Sequence, residues 1–427
     1  MFHHLRKEQR LTTLVAGTMG NIMEWYDFAL YGFMASILSQ QFFPSEDKTA
    51  SLMATYGVFA AGFIMRPLGS ALFGWLGDTI GRSKVMLISV VLMTFPTVLL
   101  GLLPTYHSIG IWAPIFLVVI RLLQGLSVGG EFSSSVTYLV ETSPENQRGL
   151  SGSFANVGSL GGMLLGSGMA ALTSLVFTSE QLNSWAWRLP FFVAGLLGIG
   201  AIVLRQGLPN SKQFTKHAKG RDKDSPLREV LTVNRKQMIQ GVLFASAYGA
   251  VFYLGLVYIP TWLKEYGQVP LAQAQDWNTA ATALTLAALP VAAWVSDKFF
   301  RRTHLLVLAF GGIFVLAWPL HSWMLGGTGT SVTISQLVFG LLLAVPCGVA
   351  PALFVELFPA GDRLSGYSIA FNLGMGVVGG STPMLATWLV QITGLETAPG
   401  LLMIGWSVVG AGVLFWMRDG SREPLPA

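Results

Sequence analysis

"GWLGDTIGRSK", residues 74–84, is a short polar stretch that separates two long apolar segments. Glycines in such a stretch allow two helix ends to approach closely across a tight turn. An aspartate there accepts hydrogen bonds from helix N-terminal amides or pairs with a basic group. We therefore predict a conformational latch, which breaks when the molecule changes shape, formed by Gly74, Asp78, Gly81 and Arg82.

A second stretch, "WVSDKFFRRTH" at residues 294–304, repeats this pattern in the other half of the chain. Asp297 corresponds to Asp78 and basic residues follow both, although Phe300 stands where the first copy has a glycine. An internal duplication of this kind is typical of transporters whose two halves rock about a central site.

The composition places the chain in a membrane. Of its 427 residues, 52% are hydrophobic and only 11% are charged, and the mean hydropathy is +0.57. Because about a quarter of the residues of a soluble domain are charged, this chain cannot cover a soluble surface. We predict an all-α integral membrane protein with twelve transmembrane helices in two pseudo-symmetric six-helix bundles. The predicted spans are 11–38, 52–76, 84–103, 111–140, 150–177, 187–206, 238–263, 270–296, 304–325, 332–357, 364–392 and 399–417.

The longest polar interruption divides the chain into a first bundle (1–206), a cytoplasmic linker (207–237) and a second bundle (238–427). Basic residues concentrate in the loops on one side of the membrane, and only Lys48, Arg188 and Lys264 fall in the opposite loops. Since cytoplasmic loops carry the excess of Lys and Arg, both termini are expected in the cytoplasm. The net charge of +5 follows from this topology and does not indicate nucleic-acid binding.

The first span contains acids, in "GNIMEWYDFALYG" at residues 20–32. Helical spacing places Asn21, Glu24, Asp27 or Phe28, and Tyr31 on one stripe. An ionised group in mid-bilayer costs about 2.5–3.5 kcal/mol on the insertion scale, so two acids require a partner or a function. The cations expected to face them are Arg66 on the second span and Arg121 on the fourth.

Glu131 lies ten residues after Arg121, which is about 15 Å further along the same helix. Its surroundings, "SVGGEFSSS", combine glycines for close packing with serines for hydrogen bonding. Because intramembrane ionisable residues are functional candidates by default, we predict that Glu24, Asp27 or Glu131 carries the coupled proton. The alternative is a static network that holds the helices in register.

Other polar and aromatic residues of the spans are candidates for substrate binding. Two intramembrane arginines favour a carboxylate substrate, since guanidinium pairs bidentately with carboxylate. A zwitterion needs one cation for its carboxylate and an aromatic or acidic pocket for its ammonium. The predicted substrate-binding residues are Arg66, Arg121, Asn21, Gln124, Tyr31, Tyr253 and Asn372.

The motifs resemble a known family. Residues 74–84 are similar to the signature loop of the major facilitator superfamily, and Arg121-x-x-Gln124-Gly125 resembles its second motif, whose arginine is associated with proton coupling. Within that superfamily the chain resembles the metabolite:proton symporters, which include α-ketoglutarate, citrate, shikimate and proline/betaine carriers. The stretches that carry this resemblance are "GNIMEWYDFALYGF" (20–33), "FIMRPLGSALFG" (63–74), "RLLQGLSVGGE" (121–131), "WAWRLPFF" (185–192) and "FNLGMGVVGGSTPMLATWLV" (371–390). The sequence "LPNSKQF", after the sixth span, lacks the acid that members often carry before Thr-Pro.

The resemblance and the residues together predict a secondary active transporter of the bacterial inner membrane. It is expected to couple proton entry to uptake of a small polar metabolite, with an α-ketoglutarate- or citrate-like carboxylate favoured. A zwitterionic osmolyte such as proline or betaine, a drug or metabolite exporter and a non-transporting sensor are the alternatives. We expect a monomer whose partners are substrate, protons and lipid, and neither an enzyme nor a user of ATP, metal or another cofactor. There is no Gly-x-x-x-x-Gly-Lys loop, and the six histidines lack metal-ligand spacing.

Overall fold

The computed structural model describes residues 2–211, 214–215 and 226–426, which form helices and turns without a β-strand. Twelve of the helices are long. They are α1 (Phe2–Phe33), α2 (Lys48–Ile80), α3 (Arg82–Leu102), α4 (Trp112–Glu141), α5 (Arg148–Val176), α6 (Leu189–Arg205), α7 (Arg235–Val257), α8 (Leu271–Lys298), α9 (Arg302–Gly326), α10 (Gly329–Leu357), α11 (Arg363–Thr393) and α12 (Ala398–Trp416).

The long helices follow from the apolar runs, because backbone polar groups inside a bilayer must bond within their own segment. Eleven of them in the described part of the chain, α2 to α12, are long and apolar enough to cross a membrane. Helix α1 has 32 residues, which is also enough for a crossing, but its polar stripe lowers its hydropathy. The predicted twelve-helix architecture is therefore confirmed.

Short helices connect the long ones. The first predicted span, 11–38, is interrupted at Met34, whose φ of −92° and ψ of 4° leave the α-helical region. The short helices are Ala35–Phe42, Tyr106–Ile109, Glu145–Gln147, Ser179–Ser184, Ala186–Arg188, Pro226–Thr232 and Ile259–Glu265.

The chain divides into two compact units. The first comprises Met1–Leu139 and Phe154–Lys219, and the second comprises Val140–Ser153 and Gly220–Ala427. The segment that connects α4 to α5 thus belongs to the second unit. Of the expected cytoplasmic linker, residues 212–213 and 216–225 lie outside the described residues.

In the first unit, glycines bring α2 and α4 into backbone contact. A Cβ atom at Gly125 would meet the carbonyl oxygen of Gly62, and one at Gly69 would meet the carbonyl oxygen of Leu126. Only glycine allows such an approach, because any side chain would separate the two helices. The contact holds α2 beside the part of α4 that carries Arg121.

The second unit is packed differently. Aromatic rings of α7, α9, α10 and α11 form its centre, and Phe354 stacks on Tyr367 with ring centroids 4.9 Å apart. Helices α7 and α11 each contain a π-helical segment, Tyr253–Val257 and Asn372–Gly379. The two helices cross where Gly249 faces Met375, since a Cβ on Gly249 would lie 2.8 Å from the Met375 Cα.

Candidate functional site

An ion pair inside the first unit joins α1 to α4. The Arg121 Nη1 lies 2.6 Å from the Asp27 Oδ2, and both side chains are buried. Burial of two charges is costly unless they are paired and hydrogen-bonded. The pairing therefore offsets the cost of burying Asp27 and Arg121.

Neighbouring side chains hold the pair in place. The Asp27 Oδ1 accepts from the Thr97 hydroxyl and from the Gln124 Nε2, each at 3.3 Å. The Gln124 amide also donates to the Thr97 Oγ1 at 2.7 Å. The Arg121 guanidinium lies over the Tyr31 ring at 3.9 Å, and the Tyr31 hydroxyl donates to the Thr55 carbonyl at 3.1 Å. Three helices besides α4 thus restrain one guanidinium.

A second acid and a second arginine occupy the same unit. Glu24 is 2% exposed and lies within electrostatic range of Arg66. The Arg66 guanidinium is also held by aromatic rings, at 4.0 Å from the Phe63 centroid and 4.9 Å from the Phe28 centroid. Cation–π contact of this kind stabilises a desolvated guanidinium.

Several polar atoms around these groups have no hydrogen-bond partner in the described protein. A buried polar atom without a partner is costly, and such atoms mark positions where a ligand or water completes the bonding. On Arg121 they form the Nε–Nη2 edge, which is the fork that binds a carboxylate bidentately. The atoms are Asn21 Oδ1, Glu24 Oε2, Arg66 Nε, Arg121 Nε and Nη2, and Gln124 Oε1.

Asn21, another predicted substrate residue, is held on one side only. Its Nδ2 donates to the Gly17 carbonyl at 3.1 Å and to the Ser135 hydroxyl at 2.8 Å. The amide group thereby ties α1 to α4 while its Oδ1 remains available.

Glu131 does not join Arg121. Its carboxylate forms two bonds with Arg205 of α6, at 2.5 Å and 2.9 Å, and it accepts from the Ser89 hydroxyl. Arg205 also donates to the backbone carbonyls of Ala16 and Met86, so the four helices α1, α3, α4 and α6 meet here.

Helix α1 can approach this pair because residue 20 is a glycine. A Cβ atom there would collide with the Glu131 Oε1 and the Arg205 Nη2. Both oxygens of the Glu131 carboxylate are bonded, as both oxygens of Asp27 are.

The predicted latch residues lie together at the α2–α3 turn. Asp78 and Arg82 form a buried ion pair of 3.0 Å, and the Arg82 Nη1 donates to the Gly77 carbonyl at 2.8 Å. Gly74 is buried one turn before Asp78. Gly81 has a φ of +106°, a conformation that favours glycine.

The stretch after α6 covers this turn. A Cβ on Gly81 would meet the Asn210 amide, which also accepts from the Ser83 hydroxyl at 2.7 Å. The Phe214 ring lies 5.1 Å from the Arg82 guanidinium. The segment "LPNSKQF", in which the expected acid is replaced, therefore contacts the turn through a neutral amide and an aromatic ring.

The two candidates in the second unit begin its π-helical segments. Tyr253 is the first residue of one segment and Asn372 is the first residue of the other. The Asn372 Nδ2 donates to the Ser368 carbonyl at 2.9 Å, and Tyr253 packs edge-on against Phe252. π-Helical turns occur often at functional sites.

A charged network in the second unit was not anticipated in full. Arg302 bonds to Glu356 at 2.7 and 2.8 Å and to Asp297 at 3.1 Å, and Asp297 accepts from the backbone amides of Gly149 and Leu150. The repeated motif at 294–304 identified Asp297 and Arg302. It contained no signal for Glu356, which lies 54 residues from Arg302.

The second unit contains two further ion pairs, both at helix ends. Arg363 bonds to Glu141 at 2.8 Å, and Arg148 lies 3.5 Å from Glu356.

In the first unit, the sequence did not identify Thr97 or Arg205 as parts of the ion-pair networks. An arginine at the very end of a predicted span is an ordinary flanking residue in sequence terms, so nothing marked Arg205 as a partner of Glu131.

Comparison with known proteins adds independent evidence. Residues 12–241 match the family described as sugar (and other) transporters. A proline/betaine transporter of Escherichia coli (strain K12) is 32% identical over 426 residues, covering 96% of this chain and 84% of that protein. A glycine betaine/proline/ectoine/pipecolic acid transporter, OusA, of Dickeya dadantii (strain 3937) is 32% identical over 422 residues with the same coverage. The solved structure of XylE, a proton:xylose symporter of the major facilitator superfamily bound to 6-bromo-6-deoxy-D-glucose, is similar with a TM-score of 0.81 at 19% identity, covering 98% of both chains.

Proposed function

The chain belongs to the sugar (and other) transporter family of the major facilitator superfamily, and on that premise we propose that it takes up a zwitterionic osmolyte of the proline/betaine type. It is a multi-pass membrane transporter, and we propose that protons drive it, since the structural neighbours XylE and FucP are named as proton symporters. The carboxylate substrate that the sequence favoured is not supported by these relatives, whose substrates are zwitterions by name.

The charge balance of the site carries this proposal. From the sequence, the two arginines favoured a carboxylate substrate, although Glu24 and Asp27 were expected to face them. In the fold, Asp27 pairs with Arg121 and Glu24 lies within electrostatic range of Arg66, so each arginine already has an acid near it. A dicarboxylate would bring two negative charges to a buried site whose arginines already face acids, and burial of uncompensated charge is expensive. A zwitterion adds no net charge, so the loaded site gains only the charge of the coupled proton.

The available edge of Arg121 accounts for recognition of the carboxylate. Its Nε and Nη2 have no partner in the described protein, whereas its Nη1 is occupied by Asp27. A substrate carboxylate is therefore proposed to bind that edge bidentately. Glu24, whose Oε2 has no bond, would then balance the substrate's ammonium group, and Asn21 and Gln124 would supply the remaining hydrogen bonds.

Proton coupling is proposed to act through Asp27. When Asp27 takes up a proton, its charge no longer neutralises Arg121, and the guanidinium attracts the substrate carboxylate more strongly. By linkage, bound substrate raises the affinity of Asp27 for the proton by the same factor. Substrate and proton thus enter together and cross by alternating access, while the Asp78–Arg82 contact breaks and re-forms.

The remaining proposals concern the membrane location, orientation, partners and driving force of the protein. We place the protein in the bacterial inner membrane with both termini in the cytoplasm, because the Lys- and Arg-rich loops lie on that side. The protein is proposed to act as a monomer, with substrate, protons and membrane lipid as its partners. The proton gradient supplies the driving force, and no cofactor takes part.

Uptake by purified protein in liposomes tests the proposal. With an imposed proton gradient, wild-type protein should accumulate radiolabelled proline or glycine betaine, and a proton ionophore should abolish the accumulation. Asp27→Asn should lower accumulation about ten- to a hundredfold, the usual range of coupling between sites, while substrate exchange without a gradient continues. Glu180→Gln changes an exposed carboxylate and serves as the control.

Two outcomes would contradict different parts of the proposal. Inhibition by unlabelled α-ketoglutarate without inhibition by unlabelled glycine betaine would exclude the zwitterion. Full accumulation by Asp27→Asn, at the level of Glu180→Gln, would exclude Asp27 as the coupling group while leaving the substrate class untouched.

A further inference from the structure

The first unit has an apolar groove on its outside, separate from the ion pairs. It has a volume of about 620 Å³ and lies between α3, α5 and α6. Its floor is the contact of Gly195 with Val98, where a Cβ on Gly195 would lie 2.5 Å from the Val98 Cγ2. Its rims are Leu172 on α5 and Leu196 on α6, which are 53% and 69% exposed. The groove therefore opens sideways.

The chemistry of the groove excludes a polar ligand. Thr173 is the only lining residue with a side-chain hydroxyl, and that hydroxyl already donates to the Met169 carbonyl at 2.6 Å. All other lining side chains are apolar. A ligand that requires hydrogen bonds would lose them here without replacement.

The length of the groove corresponds to one leaflet of a bilayer. Along α6 it runs from Leu189 to Ile199, a rise of about 15 Å at 1.5 Å per residue. The hydrocarbon core of a bilayer is about 30 Å thick, so each leaflet contributes about half of that. The groove starts where α5 ends and α6 begins, next to Phe177 and Trp185, which pack edge-on with centroids 5.3 Å apart. Tryptophan is enriched at the membrane–water interface.

We propose that this groove holds one acyl chain of a phospholipid from the leaflet at that end of the first unit. The chain enters beside Trp185 and lies along α6 to Ile199. Lipid hydrocarbon surrounds α5 and α6 as spanning helices, so acyl chains are always available to fill the groove. The gain on binding comes from contacts with lining atoms that would otherwise have no neighbour on one side.

A second copy of the protein fits the groove less well. A two-fold dimer interface uses the same patch on both partners, and two facing grooves would leave a void between them. A flexible acyl chain fills a narrow apolar channel without that requirement.

Photo-labelling of the wild-type protein tests the position of the chain. The protein is reconstituted in phosphatidylethanolamine and phosphatidylglycerol with a small fraction of phosphatidylethanolamine that carries a diazirine on one acyl chain. We expect the groove to be labelled about ten times more than the lipid-facing side of α9, a preference of about 1.4 kcal/mol. The label should move from Val176 and Leu189 towards Met169 and Ile199 as the diazirine is placed deeper in the chain. Equal labelling of both surfaces, or a label that does not move, would overturn the proposal.

Filling the groove supplies the second test. Leu172→Trp and Leu196→Trp should each lower groove labelling about tenfold, to the background level. Leu308→Trp is the matched control, since Leu308 is a leucine of α9 with 62% exposure outside the groove. Groove labelling that persists in both filled variants would overturn the proposal, as would a cross-link from the groove to a second copy of the chain.

Discussion

The two units of this protein place their charged residues differently. In the first unit, Asp27, Arg121 and Glu131 lie well inside their helices, with Arg121 nine residues inside α4, although Arg205, the partner of Glu131, ends α6. In the second unit, the buried acids and arginines of the described residues all lie within two residues of a helix end. These residues are Glu141, Arg148, Arg302, Glu356, Asp362 and Arg363.

The difference indicates a division of labour. Charges in mid-membrane are costly, so we propose that Asp27 and Arg121 of the first unit serve proton and substrate binding. The middle of the second unit contains stacked rings, a glycine crossing and two π-helical segments. Departures from regular α-helix of this kind occur where a helix changes shape or binds a ligand. We infer that the first unit carries the charge chemistry and that the second contributes shape.

The largest expected effect is a loss of stability that distinguishes the Glu131–Arg205 pair from the Asp27–Arg121 pair. Glu131→Gln leaves the Arg205 charge buried and uncompensated, which should destabilise the protein by about 3–5 kcal/mol. Thermal unfolding in detergent would measure the loss. The double variant Glu131→Leu/Arg205→Leu removes both charges and should recover most of it, since apolar replacement of a buried pair is often neutral.

The same variant distinguishes structural from proton-coupling acids. Folded Glu131→Gln should still accumulate substrate when a proton gradient is applied. Loss of that accumulation in a variant with unchanged thermal stability would identify Glu131 as a proton carrier. The Glu131–Arg205 pair could then no longer be distinguished from the Asp27–Arg121 pair as purely structural.

A smaller effect should appear at the glycine crossing of the second unit. Gly249→Ala places a Cβ 2.8 Å from the Met375 Cα, and overpacking of this kind costs about 1–3 kcal/mol. We expect a lower midpoint of thermal unfolding and slower substrate exchange. Gly376→Ala is the control within the π-helical segment itself, since its Cβ would meet nothing within 4 Å. Equal behaviour of the two variants would show that α7 and α11 do not depend on this contact.

The smallest effect concerns the end of the second unit. Asp419 accepts from the backbone amide and the hydroxyl of Thr303 at the start of α9, each at 2.8 Å. Partial burial opposes its ionisation, but hydrogen bonds from Ser421 and Thr303 hold the pKa of Asp419 below its ordinary value. A carboxyl with a depressed pKa stabilises the fold above its unfolded pKa of about 3.9 and loses that effect as the pH falls below it.

Asp419→Asn should therefore cost about 0.5–1 kcal/mol at neutral pH, because this cap is half exposed and screened by water. Thermal unfolding at pH 7, 5 and 3.5 should show the same loss at the first two values and a reduced loss at the third. Asp276→Asn, at an exposed site on α8, controls for the general effect of charge. A loss that grew on acidification would contradict the assigned direction.

The sequence determined those features of this protein that depend on local order. Hydropathy is summed along a segment, so the twelve spans could be read without knowledge of their neighbours. The helical period fixed which side chains share a face of α1, and the glycine turn at 74–84 identified the superfamily because its conformation is set within eleven residues. Even so, the interruption of the first span at Met34 left no mark in the apolar pattern.

Only the tertiary structure decided which charges neutralise each other. Glu131 pairs with Arg205, 74 residues away, because packing brings α6 to the depth of Glu131, and depth cannot be read from spacing along one helix. The same packing pairs Asp27 with Arg121, one of the two arginines that the sequence expected to face the acids of α1. Ion pairs between helices depend on three-dimensional distance, whereas hydropathy and helical period depend on neighbours in the chain.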